Sequence, residues 1–578
     1  MQSVSQRIIQ TLIEAGIEYV FTMPGGGMNR IFDALYDYRD KIKVILTRNE
    51  QTASCMAEMY GRLTGKPGVL VGQGPFVGSA GLFGMMEGYL TSTPMLAITD
   101  VTEYADFALH APFQCGTGEY GALDLREIFK GTAKFVTLAT SPLEAVQGVQ
   151  LAIKHAVSGR PGPTAVLYRI PALRGELTEG NLARLFPVTQ YLRVAKPAAH
   201  PAEVEKVVDL LAEAKRPVII AGNGVHAAKG YAELAQLAEL GGFPVATSYQ
   251  GKSAIPEVHP MAVGVMNMYG EKIALKTISQ ADVVLVIGCR LKPQDTCFES
   301  PDLIDPRRQK LIQVDIDQRN AGWVFPVEMG LTGDARLVMG QLIEALRERK
   351  KGKQSPERES WLRTIQEWKR TEGYFDDPSL ESSHVPIHTT RVAKELRDHL
   401  PADAIITLDG GNNRICILHY FASKQAGTIF AAAGIGAMSL SVPSAITAKL
   451  LYPERPCVAV CGDGGMAMQI HALSTAKQHG AAAIFVVMND SVLGAVRDGQ
   501  KDRTIGSEFV DTDFVRIAQA FDCDGIRVKG PEGIAPALKQ ALNSKVPFVV
   551  EILSDPNEKI RPKALSPWAQ KSMAGIYS

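Results

Sequence analysis

Short apolar runs alternate with longer amphipathic stretches along the whole of this chain. Strand-length runs without polar alternation suit β-strands buried on both faces, and parallel neighbours need a crossover of roughly a dozen residues or more between them. The pattern predicts an α/β fold of repeated βαβ units, not a sandwich or a helical bundle. Strands are expected at 19–22, 43–46, 69–72, 94–99 and 165–168, then at 217–221, 244–247, 283–288 and 310–314, and finally at 404–408, 457–460, 482–488 and 547–552. Breaks in composition at 184–201 and 347–388 separate these groups. They predict three α/β domains over 1–180, 195–350 and 370–560, with a tail at 561–578. The second break is charged, with a helix expected near 357–369.

Composition excludes several kinds of function. Lysine plus arginine equals aspartate plus glutamate at 61 each, so net charge favours neither nucleic acid nor an anionic membrane as partner. The 46% hydrophobic and 21% charged content is that of a soluble globular protein. No apolar run is long enough to span a bilayer, and residues 1–16 lack a signal-peptide core. The eight cysteines form no Cys-x-x-Cys pair and several lie in apolar runs, as reduced core thiols of a cytoplasmic protein would.

The densest chemistry lies between 457 and 494. The apolar run 457–460 closes on Cys461-Gly-Asp-Gly-Gly465, and the run 483–487 on Met488-Asn-Asp490. With a helix expected over 466–480, acids stand at the C-terminal ends of two strands, where open α/β sheets bind ligands. Asp463 and Asp490 offer hard oxygens to a cation such as Mg²⁺, which takes one or two carboxylates together with phosphate oxygens. Gly464 and Gly465, lacking Cβ atoms, let main-chain N–H groups approach a phosphate. Gly-Asp-Gly alone also makes plain turns; the spaced Asn-Asp favours a metal–diphosphate site. Three further clusters carry candidate groups, two of them directly after expected strands. In Arg48-Asn-Glu-Gln51, Glu50 suits a helix entry favoured by the helix dipole as well as a catalytic role. Gly434-Ile-Gly-Ala-Met-Ser439 reads as a turn with a core methionine or as a cofactor support. Asp409-Gly-Gly-Asn-Asn413 offers two amides to a diphosphate.

The Gly-Asp-Gly and Asn-Asp pair resembles the fingerprint of thiamine-diphosphate-dependent enzymes. Pro24-Gly-Gly26, Glu50-Gln51, Arg160-Pro-Gly-Pro163, Gly222-Asn-Gly224, Val314-Asp-Ile-Asp317 and Gly333-Asp-Ala335 extend the likeness to the acetolactate-synthase-like branch over nearly the whole chain. The resemblance implies three doubly wound parallel-sheet domains: pyrimidine-binding, central and diphosphate-binding. It implies Mg²⁺ held by Asp463, Asp490 and the carbonyl of Val492, with thiamine diphosphate along Gly462, Gly464, Gly465, Leu493 and Gly494. Asp490 departs from the family, which has asparagine there. Glu50 is implied as the activator, a carboxylate in a dry site aligned with a ring nitrogen of the cofactor. Met438, beside Gly436, is implied as the wedge that bends the cofactor into a reactive shape. Asn412 and Asn413 would meet the diphosphate. Pro24, Gly25, Gly26 and Gly74 would pass main chain beside the reaction centre. Phe76 would wall the substrate, and Gln114 and His110 would face it as catalytic groups. In the central domain Gly222, Gly224, Arg290, Asp315 and Asp334 resemble nucleotide contacts, and Met266-Asn-Met-Tyr-Gly270 a flavin-contacting segment. Relatives hold FAD, ADP or nothing there. The resemblance also implies an active site shared between subunits, with a homodimer as the minimal active unit and a homotetramer as the assembly.

Three departures restrict the reaction. Cys289-Arg-Leu-Lys-Pro-Gln294 replaces the family's Phe-Asp-Asp-Arg, whose arginine meets the second substrate's carboxylate. No tryptophan follows the metal motif near 497–500, and His110 lacks the adjacent histidine of pyruvate-decarboxylase-like enzymes. The implied activity is Mg²⁺-dependent making or breaking of a carbon–carbon bond in a 2-oxo acid or related 2-oxo compound through an enamine. A sulfoacetaldehyde-acetyltransferase-like enzyme and a cyclic 1,2-dione hydrolase are the enzyme alternatives. An inactive nucleotide- or FAD-binding regulatory protein on the same fold is the alternative of another class.

Overall fold

The structure is a computed structural model that describes residues 2–103, 113–349 and 355–558. Three six-stranded sheets, parallel in every pairing, follow one another along the chain. The first holds β1 (Tyr19–Met23), β2 (Lys43–Leu46), β3 (Gly68–Gly72), β4 (Met95–Asp100), β5 (Phe135–Ala139) and β6 (Pro163–Tyr168), in the order 2-1-3-4-6-5. The second holds β7 (Pro217–Ala221), β8 (Val245–Thr247), β9 (Ala262–Val265), β10 (Val283–Ile287), β11 (Lys310–Asp315) and β12 (Met329–Thr332), in the order 9-8-7-10-11-12. The third holds β13 (Ile405–Leu408), β14 (Ile429–Ala431), β15 (Cys457–Gly462), β16 (Ile484–Asn489), β17 (Asp524–Val528) and β18 (Phe548–Leu553), in the order 14-13-15-16-18-17. Renumbered from its own first strand, the third sheet repeats the order of the first. The second instead has the 3-2-1-4-5-6 order of dinucleotide-binding folds.

The outer sheets share a core. Phe21 of β1, Tyr60, Ala445 and Phe485 of β16 belong to one continuous buried cluster, joined through helices Glu50–Thr64 and Ser441–Leu451. Burying each such ring stabilises by roughly 1.5–3 kcal/mol. Helix Glu50–Thr64 starts where it does because Asn49 accepts the Thr52 N–H at 2.7 Å. It stops at Gly65, whose φ of 73° suits a residue without Cβ.

The expected strands are all present, with ends shifted by a residue or two. β5, β9, β12, β14 and β17 were not foreseen, and each lies at the edge of its sheet. The helix expected over 466–480 is instead two, Asp463–Ala467 and Ala472–Gln478, because the chain turns between them. The expected helix of the charged break runs over Pro356–Glu372. Among the described residues no helix is long and apolar enough to cross a membrane.

Candidate active site

Doubly wound sheets bind ligands where the strand order reverses. In the third sheet that point lies between β13 and β15, and the residues expected to hold a metal gather there. Asp463 ends β15 and opens helix Asp463–Ala467. Its side chain is 6% exposed; Oδ1 accepts the Gly464 N–H at 2.6 Å, but Oδ2 is buried without a partner. Asp490 follows β16 and accepts the Val492 N–H at 3.1 Å. Burial, and then the Asp463 carboxylate, push Asp490 up to about 7. Burial raises Asp463 too, and the main-chain N–H groups of residues 490–492 only moderate the rise. Two destabilised carboxylates, one with an orphaned oxygen, form a donor set suited to a hard cation.

Bare glycines let the surrounding loops approach the acids closely. A Cβ on Gly494 would come 2.7 Å from Asn412 Nδ2, and one on Gly464 would come 3.1 Å from Leu493 Cδ2 and 3.7 Å from Met438 Sδ. Gly494, Asn412, Leu493 and Met438 therefore converge on the acids. Two expectations need amending. Gly465 is bare mainly because Asp409 Oδ2 lies 2.3 Å from where its Cβ would be. The Asn413 amide donates to the Val460 carbonyl at 3.2 Å and so braces the strand end.

In the first sheet, Glu50 opens its helix after β2, and the position of a Cβ on Gly72 lies 3.9 Å from Glu50 Cγ. Partial burial holds Glu50 above the usual carboxylate range. Gly25 packs against the Gln73 side chain, while Pro24 and Gly26 stand exposed. Gln73 Nε2 donates to Gln114 Oε1 at 3.0 Å, which places Gln114 beside Gly74. Phe76 and Phe113 are exposed near this loop. His110 lies outside the described residues.

The central sheet has a site of its own. A cavity of about 550 Å³ lies over its switch point, between β7 and β10. Gly224, Arg290, Asp315 and Asp334 line it together with Arg62 and Arg160 of the first domain. Gly222 does not line it: a Cβ there would strike the Gly288 carbonyl at 2.3 Å, so this glycine lets two strand-end loops touch. Met266 and Met268 also stay away, packed with Trp361 in an apolar cluster.

Three buried carboxylates escaped the sequence reading. Asp409 accepts the N–H groups of Ser439, Leu440 and Ser441 at 2.7, 2.8 and 2.6 Å. Glu87 accepts those of Ala433, Gly434 and Ile435 at 3.0, 2.8 and 2.8 Å. The two bracket Met438 from opposite sides. Asp100 ends β4 and accepts the Gly74 and Thr102 N–H groups at 2.9 and 3.1 Å. Asp409 had a local signal, an acid directly after an apolar run; Glu87 had none.

Comparison with known proteins finds one family along the chain. The first sheet's region matches "Thiamine pyrophosphate enzyme, N-terminal TPP binding domain" over residues 2–117. The central domain of the same family matches over 204–342, and its C-terminal TPP binding domain over 409–552. A probable acetolactate synthase large subunit of Methanocaldococcus jannaschii is 29% identical, covering 96% of this chain and 92% of its own. The acetolactate synthase isozyme 3 large subunit of Escherichia coli is 28% identical, covering 97% and 96%. A sulfoacetaldehyde acetyltransferase of Alcaligenes xylosoxydans xylosoxydans is 27% identical, covering 94% and 90%.

Proposed function

Since the chain belongs to the thiamine pyrophosphate enzyme family, matched in all three domains, we propose that it makes or breaks a carbon–carbon bond beside the carbonyl of a 2-oxo acid or related 2-oxo compound and passes the acyl unit to an acceptor. The observation that carries this reading is the orphaned Asp463 oxygen facing Asp490 at a topological switch point. Asp463, Asp490 and the Val492 carbonyl would hold Mg²⁺ and, through it, the diphosphate. Asn412 and the bare main chain at Gly464 and Gly494 would lie along that tail. Bound thiamine diphosphate supplies a nucleophilic carbon and an electron sink.

The chain's own groups do the rest. Glu50, raised above the usual carboxylate range by burial, can hold and return a proton at a ring nitrogen. Met438, fixed by the main chain on both sides, presents its sulfur as a rigid support. Gln73 and Gln114 form one hydrogen-bonded pair that can orient a substrate carbonyl. We assign the working unit to a homodimer, assembling further to a tetramer, with Glu50 of one chain serving the metal site of the other. The exposure of Phe113 (70%), Ile505 (82%) and Val510 (86%) supports a covered surface. Eight buried free cysteines suit the cytoplasm.

Acetyl transfer to phosphate is the second reading, and one observation favours it over joining two 2-oxo acids. Arg290 donates to the Leu90 carbonyl at 2.6 Å and lines the central cavity, and Lys292 donates to the Ala433 carbonyl. Each cation of the replaced segment is turned to a main-chain carbonyl, and the segment lacks the arginine that meets a second carboxylate in the family. The central cavity itself, rich in arginine, suits a nucleotide. The withdrawal of Met266 and Met268 favours ADP over FAD, and purified protein that absorbs as a flavin would reverse that choice. Product analysis by mass tests the main reading, with pyruvate alone, pyruvate with aldehydes, sulfoacetaldehyde with phosphate, and cyclic diones. Turnover of one of these that requires thiamine diphosphate and Mg²⁺ is expected; no turnover of any 2-oxo compound would overturn it.

A further inference from the structure

The segment leading to Met438 is gripped by charged groups from all three domains. Three successive carbonyls each accept from a cation: Ala431 from Arg62 at 2.8 Å, Ala432 from Arg414 at 2.7 Å and Ala433 from Lys292 at 2.9 Å. The N–H groups of Ala433, Gly434 and Ile435 all donate to Glu87. Glu87 sits mid-helix in Leu82–Thr91 of the first domain, is 0% exposed, and pairs with Arg62 at 2.8 Å. Arg62 also pairs with Glu58. Buried ion pairs are weak devices for stability, because desolvation offsets most of their attraction. They are strong devices for geometry, since charge-assisted hydrogen bonds are short and directional. Three N–H groups converging on one carboxylate fix the heading of the chain just before Gly436, where φ is 70° and Met438 follows two residues later.

We propose that Glu87 is a positioning residue that sets where the Met438 side chain stands over the metal motif, and so governs cofactor activation without touching the cofactor. The proposal rests on the reading of Met438 as the cofactor's support. It places the control of a group in the third domain on a carboxylate of the first, which neither strand-end motif contains.

The test uses the full-length protein with thiamine diphosphate and Mg²⁺, comparing Glu87→Gln, Met438→Ala and the double variant. Calorimetry reads cofactor affinity. Deuterium exchange at the cofactor's reactive carbon, followed by NMR after acid quenching, reads activation without needing a substrate. Glu87→Gln should keep affinity within about threefold and slow exchange by about 10²-fold, the penalty of a misplaced reactive geometry. The double variant should be no slower than Met438→Ala alone, because the two act as one unit. Multiplying effects in the double variant, or unchanged exchange in Glu87→Gln, would overturn the proposal. Unchanged exchange in Met438→Ala would instead remove the underlying reading of Met438. Should Glu87→Gln not fold, Gly434→Ala approaches from the other side: its methyl would sit 2.8 Å from Glu87 Oε2, forcing loop and carboxylate apart. The same loss of exchange with retained affinity is expected there, and full retention of both would overturn the proposal.

Discussion

The outer sheets share one strand order and differ in what stands at corresponding strand ends. After the fourth strand of the first sheet, Asp100 is fully satisfied: Gly74 N–H, Thr102 N–H and the Thr102 hydroxyl all donate to it. After the fourth strand of the third sheet, Asp490 has one main-chain donor and a second acid beside it. The equivalent fold positions therefore hold one carboxylate that ties loops together and one that stands beside a second acid whose own Oδ2 is buried without a partner. The difference shows that the fold supplies only a rim. Unmet hydrogen-bonding capacity, not acidity or location, marks the member of the pair poised for a cation.

The comparison can be broken or sharpened experimentally, beginning with the largest effect. Glu50→Gln should lower turnover by about 10²–10⁴-fold in steady-state assays while leaving cofactor affinity largely intact. Asp463→Asn should lose the rise in melting temperature that thiamine diphosphate and Mg²⁺ give the parent, a stabilisation of about 2.7 kcal/mol at ligand a hundredfold above Kd. Asp100→Asn should cost about 1–3 kcal/mol in denaturant unfolding, whether or not cofactor is present. If Asp100→Asn behaved like Asp463→Asn, the distinction between the two rims would fail.

The comparison also predicts a pH dependence of the metal-free protein. Asp490 has a folded-state pKa of about 7, above its usual 3.8, so the native state binds the extra proton and this group's contribution is lost as pH rises through 7. Asp490→Asn should therefore melt above the parent at pH 8. The gap should narrow steadily as pH falls from about 7 towards 3.8. In the parent, Mg²⁺ affinity should weaken as pH drops below 7, since the ion must displace that proton.

Much of this architecture was legible before the structure. Interior strands such as Val283–Ile287 and Phe548–Leu553 are nearly continuous apolar runs because helices cover both faces of their sheets. The unforeseen strands are edges. Phe135–Ala139 and Asp524–Val528 are mostly half-buried, so their sequences carry no such run, while Ala262–Val265 and Ile429–Ala431 are too short to stand out. The metal motif was legible because its parts lie one crossover apart. Glu87 was not, since its partners are some 346 to 348 residues away and a mid-helix glutamate reads as surface. Only packing of the first domain on the third makes it a buried acceptor.

The grip of three domains on residues 431–435 has a consequence for maturation. This segment takes its hydrogen-bond partners from the first, second and third domains, so its course is fixed only once all three have docked. Large chains acquire secondary structure within domains before those domains assemble. Competence therefore arrives last: during refolding, circular dichroism should recover ahead of catalysis, and the lag measures the closing of this three-way joint.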